Sequence, residues 1–355
     1  MLEPVVKSES INQKRWKKFK SIKRGYYSFI LIIGLYILSF LLPLIINSKA
    51  LIVQYKGDYY FPAFKDVMPG INAYYDGTMF DQGTPGEANF RQLQKKWTGS
   101  NNWIIMPIYP YNPFEDITNN ENSMYEPPST THWFGTDNTG RDVFARMCYA
   151  FNISMSFAFV LTLLNYIIGI SIGGAMGYFG GKFDLFFQRI IEIWSSLPLL
   201  FVVIIMSSIL TPSFFLLIFI YTLVNWIGLT YYMRAEFYRE KSKDYVSAAI
   251  SMGQSDARII FKHILPNSLV PVITYFPFAL VAGISVLVSL DFLGFGLPPP
   301  TPSWGQILYV GISNISKWWM VFAPIMAQFF TLLCIVFVGE AAREAFDPKI
   351  YSRLQ

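Results

Sequence analysis

The chain has 355 residues, of which 53% are hydrophobic and 18% aromatic but only 14% charged, against roughly 25% charged in a soluble globular protein. That balance excludes an ordinary soluble domain, and a mean hydropathy of only +0.36 implies that strongly apolar stretches alternate with a sizeable polar region. The net charge of +5 does not point to nucleic acid, and Cys148, Cys334, His132 and His263 suggest neither a disulfide framework nor a metal site.

A bilayer-crossing helix needs about 20 mostly apolar residues, and the first such stretch, 26–46, holds no charge. Before it, residues 1–25 form a basic head with Lys14, Arg15, Lys17, Lys18, Lys20, Lys23 and Arg24. Ser48-Lys49-Ala50 could pass for a signal-peptidase site, but the apolar run exceeds the roughly 7–15 residues of a signal peptide, so a retained anchor is expected. Residues 47–132 then form an insert far longer than an unstructured connection. Its aromatic residues, among them Tyr55, Tyr59, Tyr60, Tyr74, Tyr75, Phe80, Trp97, Trp103, Tyr109 and Tyr111, are punctuated by Asp-Gly, Pro-Gly and Asn-Pro turns. A folded subdomain is expected, with a short helix over 90–97. An extended run is expected over 104–113, where Pro107, Pro110 and Pro113 forbid a regular helix.

Phe134-Gly135-Thr136-Asp137-Asn138-Thr139-Gly140-Arg141-Asp142-Val143 reads as a turn over 137–140 leading into an interfacial helix. The absence of charge between Arg146 and Lys182 predicts a second membrane helix over 151–177. Inside it Gly169, Gly173 and Gly177 recur every fourth residue along one face, a pattern that serves close helix approach and generic membrane packing alike. The gap between Glu192 and Arg234 holds two further spans, with Thr211-Pro212-Ser213 as their turn.

The following loop, 235–266, contains Asp244-Tyr245-Val246-Ser247-Ala248-Ala249-Ile250-Ser251-Met252-Gly253 and ends in His263-Ile264-Leu265-Pro266-Asn267. It reads as a helix stopped by Gly253 in the left-handed conformation, then a second helix capped by Ser255 with Asp256 in its first turn. Small Ala248 and Ala249 beside Val246, Ile250 and Met252, all expected to be exposed, suit a short helix laid into a partner's groove.

The fifth span, between His263 and Asp291, carries Pro271, Pro277 and Gly283, then Ser285 and Ser289 at i, i+4. Those serines fit a polar-lined pathway or back-bonding to the carbonyl four residues earlier. Asp291 is either a gating or substrate-contact acid or a hydrated acid at the helix end. Phe292-Leu293-Gly294-Phe295-Gly296 and Pro300-Thr301-Pro302-Ser303-Trp304-Gly305 follow as a proline-rich re-entry, and the sixth span lies between Lys317 and Glu340. In the tail, 340–355, Glu340 and Arg343 have i, i+3 spacing and Pro348 stops the helix. The fold class is therefore all-α and polytopic, with six transmembrane helices. Basic residues concentrate in the head, the 182–189 and 234–262 loops and the tail, which places both termini in the cytoplasm.

Chemistry of its own is not indicated. Gly180-Gly181-Lys182-Phe183 lacks the upstream glycine and the hydroxyl residue of a phosphate-binding loop, and Gly294-Phe295-Gly296 opens no helix. No nucleophile elbow, zinc helix or pair of facing carboxylates within the membrane helices argues for an enzyme. Neither catalytic nor metal-binding residues are expected.

The 248–266 loop resembles the ATPase-docking loop of ABC-importer permeases, patterned E-A-A, three residues, G, nine residues, I-x-L-P. Ala248, Ala249, Gly253, Leu265 and Pro266 fall in register, whereas Ser247 replaces the glutamate and His263 the isoleucine, so the ion pair of that glutamate is not implied. The 134–143 segment is similar to the G-T-D-x-x-G-R-D segment of the dipeptide and oligopeptide branch, as are the two stretches after the fifth span. Trp194-Ser195-Ser196-Leu197-Pro198 and the oversized insert look most like the microcin C uptake type.

The resemblance covers helices two to six, in residues 133–339, extends to a tail at 339–348 that also looks familial, and implies a type I ABC importer permease core with helix one as an added anchor. It implies the second, C-type permease of a bacterial inner-membrane importer of peptides or peptide-like compounds. Its partners would be a B-type permease, two ATPases or one fused ATPase that bind the ATP and Mg, an extracytoplasmic binding protein, peptide and membrane lipid. No cofactor on this chain is implied. Asp244, Tyr245, Ser247, Ala248, Ala249, Met252, Gly253, Leu265 and Pro266 would couple to the ATPase, and Ser285, Ser289 and Asp291 are candidate pathway residues. The insert is expected either to dock the binding protein, or to act as a lid, or merely to steady the outer mouth. A channel or ion-coupled carrier is the alternative, opposed by the scarcity of intramembrane charge.

Overall fold

The computed structural model describes residues 10–66, 75, 77–83, 86–99, 101–115 and 124–347. Tyr74 and Pro348 lie outside them. The chain divides into two compact units, one of 1–32, 156–287 and 330–355 and the other of 33–155 and 288–329.

In chain order the elements are α1 (Ile11–Ser21), α2 (Lys23–Ser39), α3 (Leu42–Ile45), β1 (Ile52–Tyr55), β2 (Asp58–Tyr60), α4 (Phe90–Lys96), β3 (Trp103–Ile105), α5 (Val143–Phe179), α6 (Gly181–Ser195), α7 (Leu199–Ile209) and α8 (Phe214–Lys241). Then come α9 (Asp244–Ser251), α10 (Asp256–Arg258), a π-helical segment Ile259–Ile264, α11 (Leu265–Leu293), α12 (Trp304–Ser313) and α13 (Trp318–Phe346). Among the described residues, four helical stretches are long and apolar enough to cross a membrane: Val143–Phe179, Phe214–Lys241, Asp256–Leu293 and Trp318–Phe346. The count is six if each of two bent pairs, α1 with α2 (93°) and α6 with α7 (69°), makes one span.

The 93° bend falls at Ile22, which leaves the helical region (φ −85°, ψ 81°) while its N–H donates to the Phe19 carbonyl. The stretch expected as one helix over 26–46 also breaks after Ser39, because Pro43 brings no N–H donor to continue the ladder. The Ser39 hydroxyl donates to the Tyr36 carbonyl there (2.6 Å). The expected third span breaks at Ser196-Leu197-Pro198, where Ser195 and Ser196 donate to the carbonyls of Glu192 and Ile193. The basic stretch around Lys182 and Arg189, read as a loop, is part of helix α6.

In the first unit α5 lies on α8 along its glycine face. A β-carbon at Gly169 would sit 2.9 Å from the Leu229 β-carbon, one at Gly177 would sit 2.6 Å from the Arg234 carbonyl oxygen, and one at Gly173 would overlap the Thr230 carbonyl. Asp184 of α6 accepts two bonds from the Arg234 guanidinium (2.6 and 2.7 Å), a bidentate tie to α8.

The second unit holds a three-stranded antiparallel sheet in the order β2-β1-β3, with Val53 opposite both Tyr60 and Ile104. Lys56 (φ 51°) and Gly57 (φ 98°) both take positive φ, which is what a two-residue turn matched to strand twist requires. Val53, Tyr55, Phe80, Phe90, Leu93, Trp97 and Ile104 form the core beneath the sheet. The helix expected over 90–97 is α4, with Trp97 as its C-cap and Asn89 accepting from the Gln92 N–H (3.1 Å). Of the run expected as extended over 104–113, only 104–105 belong to a strand, β3.

Candidate functional site

α9 shows how the 244–266 loop is built. Asp244 lies in its first turn, favourable at the positive end of the helix dipole. At the other end Gly253 N–H donates to the Ile250 carbonyl (2.9 Å) and Gln254 N–H to the Ala249 carbonyl (3.2 Å), with Gly253 at φ +71°. These paired bonds and the left-handed residue constitute a Schellman stop. Ser255 occupies the cap position of the next helix, but its side chain makes no capping bond.

The inner edge of α9 is apolar. Val246 and Ala249 are buried with Met233, Phe237, Ile259, Ile264 and Val272, and burying a valine contributes about 2 kcal/mol. The expectation that Val246 is exposed is thereby corrected: residues three apart share a helix face, and Ala249 takes Val246 inward with it. Ser247, Ala248, Ile250, Ser251 and Met252 remain outside, with Ile250 51% and Met252 69% exposed. Tyr245 is exposed at the rim, Leu265 is half-buried, and Pro266 is exposed where α11 begins.

Polar contacts fasten α9 to its neighbours. The Glu240 carboxylate, buried at the end of α8, accepts from Lys243 Nζ and from the Tyr245 hydroxyl, both at 2.6 Å. Asn267 Nδ2 donates to the Tyr245 oxygen (3.2 Å), and His263 Nε2–H donates to Gln254 Oε1 (2.8 Å). Burial, and then the bond to Glu240, raises the pKa of the Tyr245 phenol. Tyr178 donates to Asp256 (2.6 Å), which ties α5 to α10. The sequence reading missed Glu240, Gln254 and Asn267. The only local signal was the i, i+3 spacing of Glu240 and Lys243.

The 134–143 motif lies in the second unit as a buried polar knot. Asp137 Oδ1 accepts from the Thr139 N–H and hydroxyl (both 2.8 Å) and from Arg141 N–H (2.9 Å). Asp142 caps α5 by accepting from Ala145 N–H (2.7 Å), and it also accepts from His132 Nδ1–H (2.7 Å) and the Tyr109 hydroxyl (2.6 Å). Burial and the Asp142 charge push the Tyr109 phenol well above its usual range. The buried Arg146 reaches the carbonyls of Pro113 and Pro300, both at 3.4 Å.

Asp291 is buried, and the alternative of a hydrated helix-end acid does not describe it. Its Oδ1 accepts from Leu297 N–H (2.7 Å) and its Oδ2 from the Ser303 hydroxyl (2.5 Å), while Gly296 and Gly305 pack where any side chain would collide with it. Ser303 also caps α12, and Trp304 donates to the Met147 carbonyl (3.1 Å). The glycine- and proline-rich stretches after α11 thus close around one carboxylate. Ser285 donates to the Val281 carbonyl (2.9 Å), the back-bonding geometry, and Ser289 is exposed.

Helices long and apolar enough to cross a bilayer, with a short helix between two of them that is braced from behind and stopped by a glycine, mark a polytopic membrane protein. Residues 169–351 match the family described as binding-protein-dependent transport system inner membrane component, and the chain belongs to that family. It is 38% identical over 340 residues to the inner membrane ABC transporter permease protein YejE of Escherichia coli K12, covering 96% of this chain and 97% of that one. It is 37% identical to the peptidoglycan transport system permease protein YejE of Agrobacterium fabrum, covering 95% and 93%, and 35% identical to the dipeptide transport system permease protein DppC of Bacillus subtilis, covering 70% and 78%.

Proposed function

We propose that the chain is the C-type permease subunit of a bacterial inner-membrane ABC importer for peptides or peptide-like compounds. With a B-type permease it forms the pathway, and an extracytoplasmic binding protein delivers the substrate. The peptide class is supported by the names of the relatives, which include dipeptide, oligopeptide and peptidoglycan transport permeases. The chain performs no catalysis: ATP and Mg belong to the ATPase partners. Both termini and α9 face the cytoplasm.

The observation that carries this reading is α9 itself. Its face of Ser247, Ala248, Ile250, Ser251 and Met252 enters a groove on the ATPase, and the contacts of Glu240, Tyr245, Asn267, Gln254 and His263 make α9 move together with α8 and α11. A displacement of the ATPase groove therefore reaches the membrane helices as a rigid push rather than being absorbed in a loop.

The test is co-purification of an ATPase with the tagged chain, followed by ATP-driven peptide uptake in proteoliposomes. Single-cysteine labelling in a background without Cys148 and Cys334 adds the orientation. Position 254 should resist an impermeant reagent in intact cells, and position 89 should react. Labelling at 254 from outside would remove the ATPase contact and with it this assignment.

A further inference from the structure

The N-terminal helix carries charge that ATPase coupling does not use. Between Ser10 and Gly25 the sequence holds Lys14, Arg15, Lys17, Lys18, Lys20, Lys23 and Arg24, and no acid. α1 starts at a capping box formed by Ser10 and Gln13 and turns through 93° into α2. Its inner face is fixed: Phe19 is buried with Ala341, Ala342 and Ala345, and Gly25 passes Ala341 with no room for a β-carbon. Lys18 pairs with Glu344 (2.9 Å), and the Arg15 guanidinium lies 4.9 Å from the Phe346 ring centre. α1 is therefore clamped in one orientation against the end of α13.

That orientation leaves Lys14, Lys17 and Lys20, spaced three apart, exposed on the face turned away from α13, with Lys23 and Arg24 exposed at the elbow. Trp16 is half-exposed, stacked on Phe19 with ring centres 5.6 Å apart and edge-on to Phe29 of α2 at 6.3 Å. Tyr27 is exposed at the start of α2. Basic residues and aromatic rings thus meet where the uncharged stretch of α2 begins, the level at which tryptophan and tyrosine sit at a membrane–water boundary. If α2 enters the bilayer, as the permease reading on which this inference rests requires, a helix at 93° to it runs along the membrane surface.

We propose that α1 is an in-plane helix that binds anionic phospholipid, with Lys14, Lys17 and Lys20, extended by Lys23 and Arg24, holding the headgroup phosphodiesters. The charge is complementary, and a juxtamembrane cluster of this density attracts an anionic leaflet. Trp16 sets the depth. Because α1 is locked to α13 through Phe19 and Lys18, bound lipid also holds the end of α13.

The whole complex, in nanodiscs, tests this with a polarity-insensitive fluorophore at Ser21→Cys, made in a background without Cys148 and Cys334. Quenching by brominated phosphatidylglycerol is compared with quenching by brominated phosphatidylcholine at equal content. Wild type should be quenched preferentially by the anionic lipid, and high salt should abolish the preference. Lys14→Gln/Lys17→Gln/Lys20→Gln should lower it roughly tenfold, while the three Lys→Arg changes retain it. Equal quenching by both lipids, or an undiminished preference in the glutamine variant, overturns the proposal. So does loss of ATPase from the glutamine variant with lipid preference intact, which would assign the face to a protein. Should the glutamine variant fold poorly, the salt titration on wild type still decides. Failure of the permease reading looks different: no ATPase co-purifies with any variant, and lipid selectivity stands or falls separately.

Discussion

Gly253 and Glu240 make α9 a defined object rather than a length of loop. At Gly253 a β-carbon would meet nothing within 4 Å, so the cost of substitution is conformational, about 1–2 kcal/mol for a residue forced into the left-handed region. Asparagine tolerates that region and valine does not. ATP-driven peptide uptake by the assembled complex should therefore fall in the order Gly253, Gly253→Asn, Gly253→Val, with assembly retained. Equal uptake by all three would show that the stop carries no coupling. Glu240 is different, because its carboxylate is buried against Lys243 and Tyr245. Glu240→Ala removes the acceptor shared by Lys243 and Tyr245 and lets these two exposed side chains turn to water, which loosens α9 from α8, and ATP hydrolysis in that variant should continue with uptake reduced several-fold. Glu240→Gln, which keeps an acceptor, should recover part of the loss. Parallel measurement of hydrolysis and uptake separates a loosened brace from a failed ATPase site, where both would fall together.

At the scale of elements, the α5–α8 contact yields a direct comparison. Gly173→Leu places a side chain into the Thr230 carbonyl, whereas Gly228 in α8 has open space where its β-carbon would be. The thermal midpoint of the purified chain should drop markedly for Gly173→Leu and little for Gly228→Leu; similar drops would remove the glycine face as a packing seam. In the sequence the four-residue spacing of Gly169, Gly173 and Gly177 puts them on one face but fits close approach and generic packing alike; the structure sets that face against Leu229, Thr230 and Arg234. The helix break at Gly253 was legible because its chemistry lies in one residue. The break before Pro43 and the bend at Pro198 were not anticipated, since an uncharged run satisfies a membrane criterion whether or not its backbone hydrogen bonds continue through it. Burial of Val246 and the closing of Gly296 and Gly305 around Asp291 depend on residues far away or on the opposite side of a turn. The Lys56-Gly57 hairpin escaped notice because lysine seldom takes a positive φ.

For the whole molecule, the sheet in the 47–132 insert redirects the search for a delivery surface. Tyr109 is buried on Asp142 and Tyr111 is only partly accessible, so serine at those positions would test stability rather than docking. The outer face of the sheet has what they lack. Tyr59 and Trp103 flank Gln54 in the strand register, with ring centres 6.2 Å apart, and Phe61 and Ile105 are exposed beside them. Contiguous exposed aromatic surface on a folded subdomain marks an interaction site, and tyrosine and tryptophan dominate the energetics of such sites. If this face receives the loaded binding protein, Tyr59→Ser with Trp103→Ser should weaken its stimulation of ATP hydrolysis about tenfold. The thermal midpoint should hold, because neither side chain belongs to the core of Val53, Tyr55, Phe80 and Leu93. A subdomain that only steadies the outer mouth would behave otherwise, since its folded mass survives the double substitution. Stimulation equal to wild type, in a variant that folds and assembles, would therefore assign the insert to passive support and require the binding protein to engage another surface of the complex.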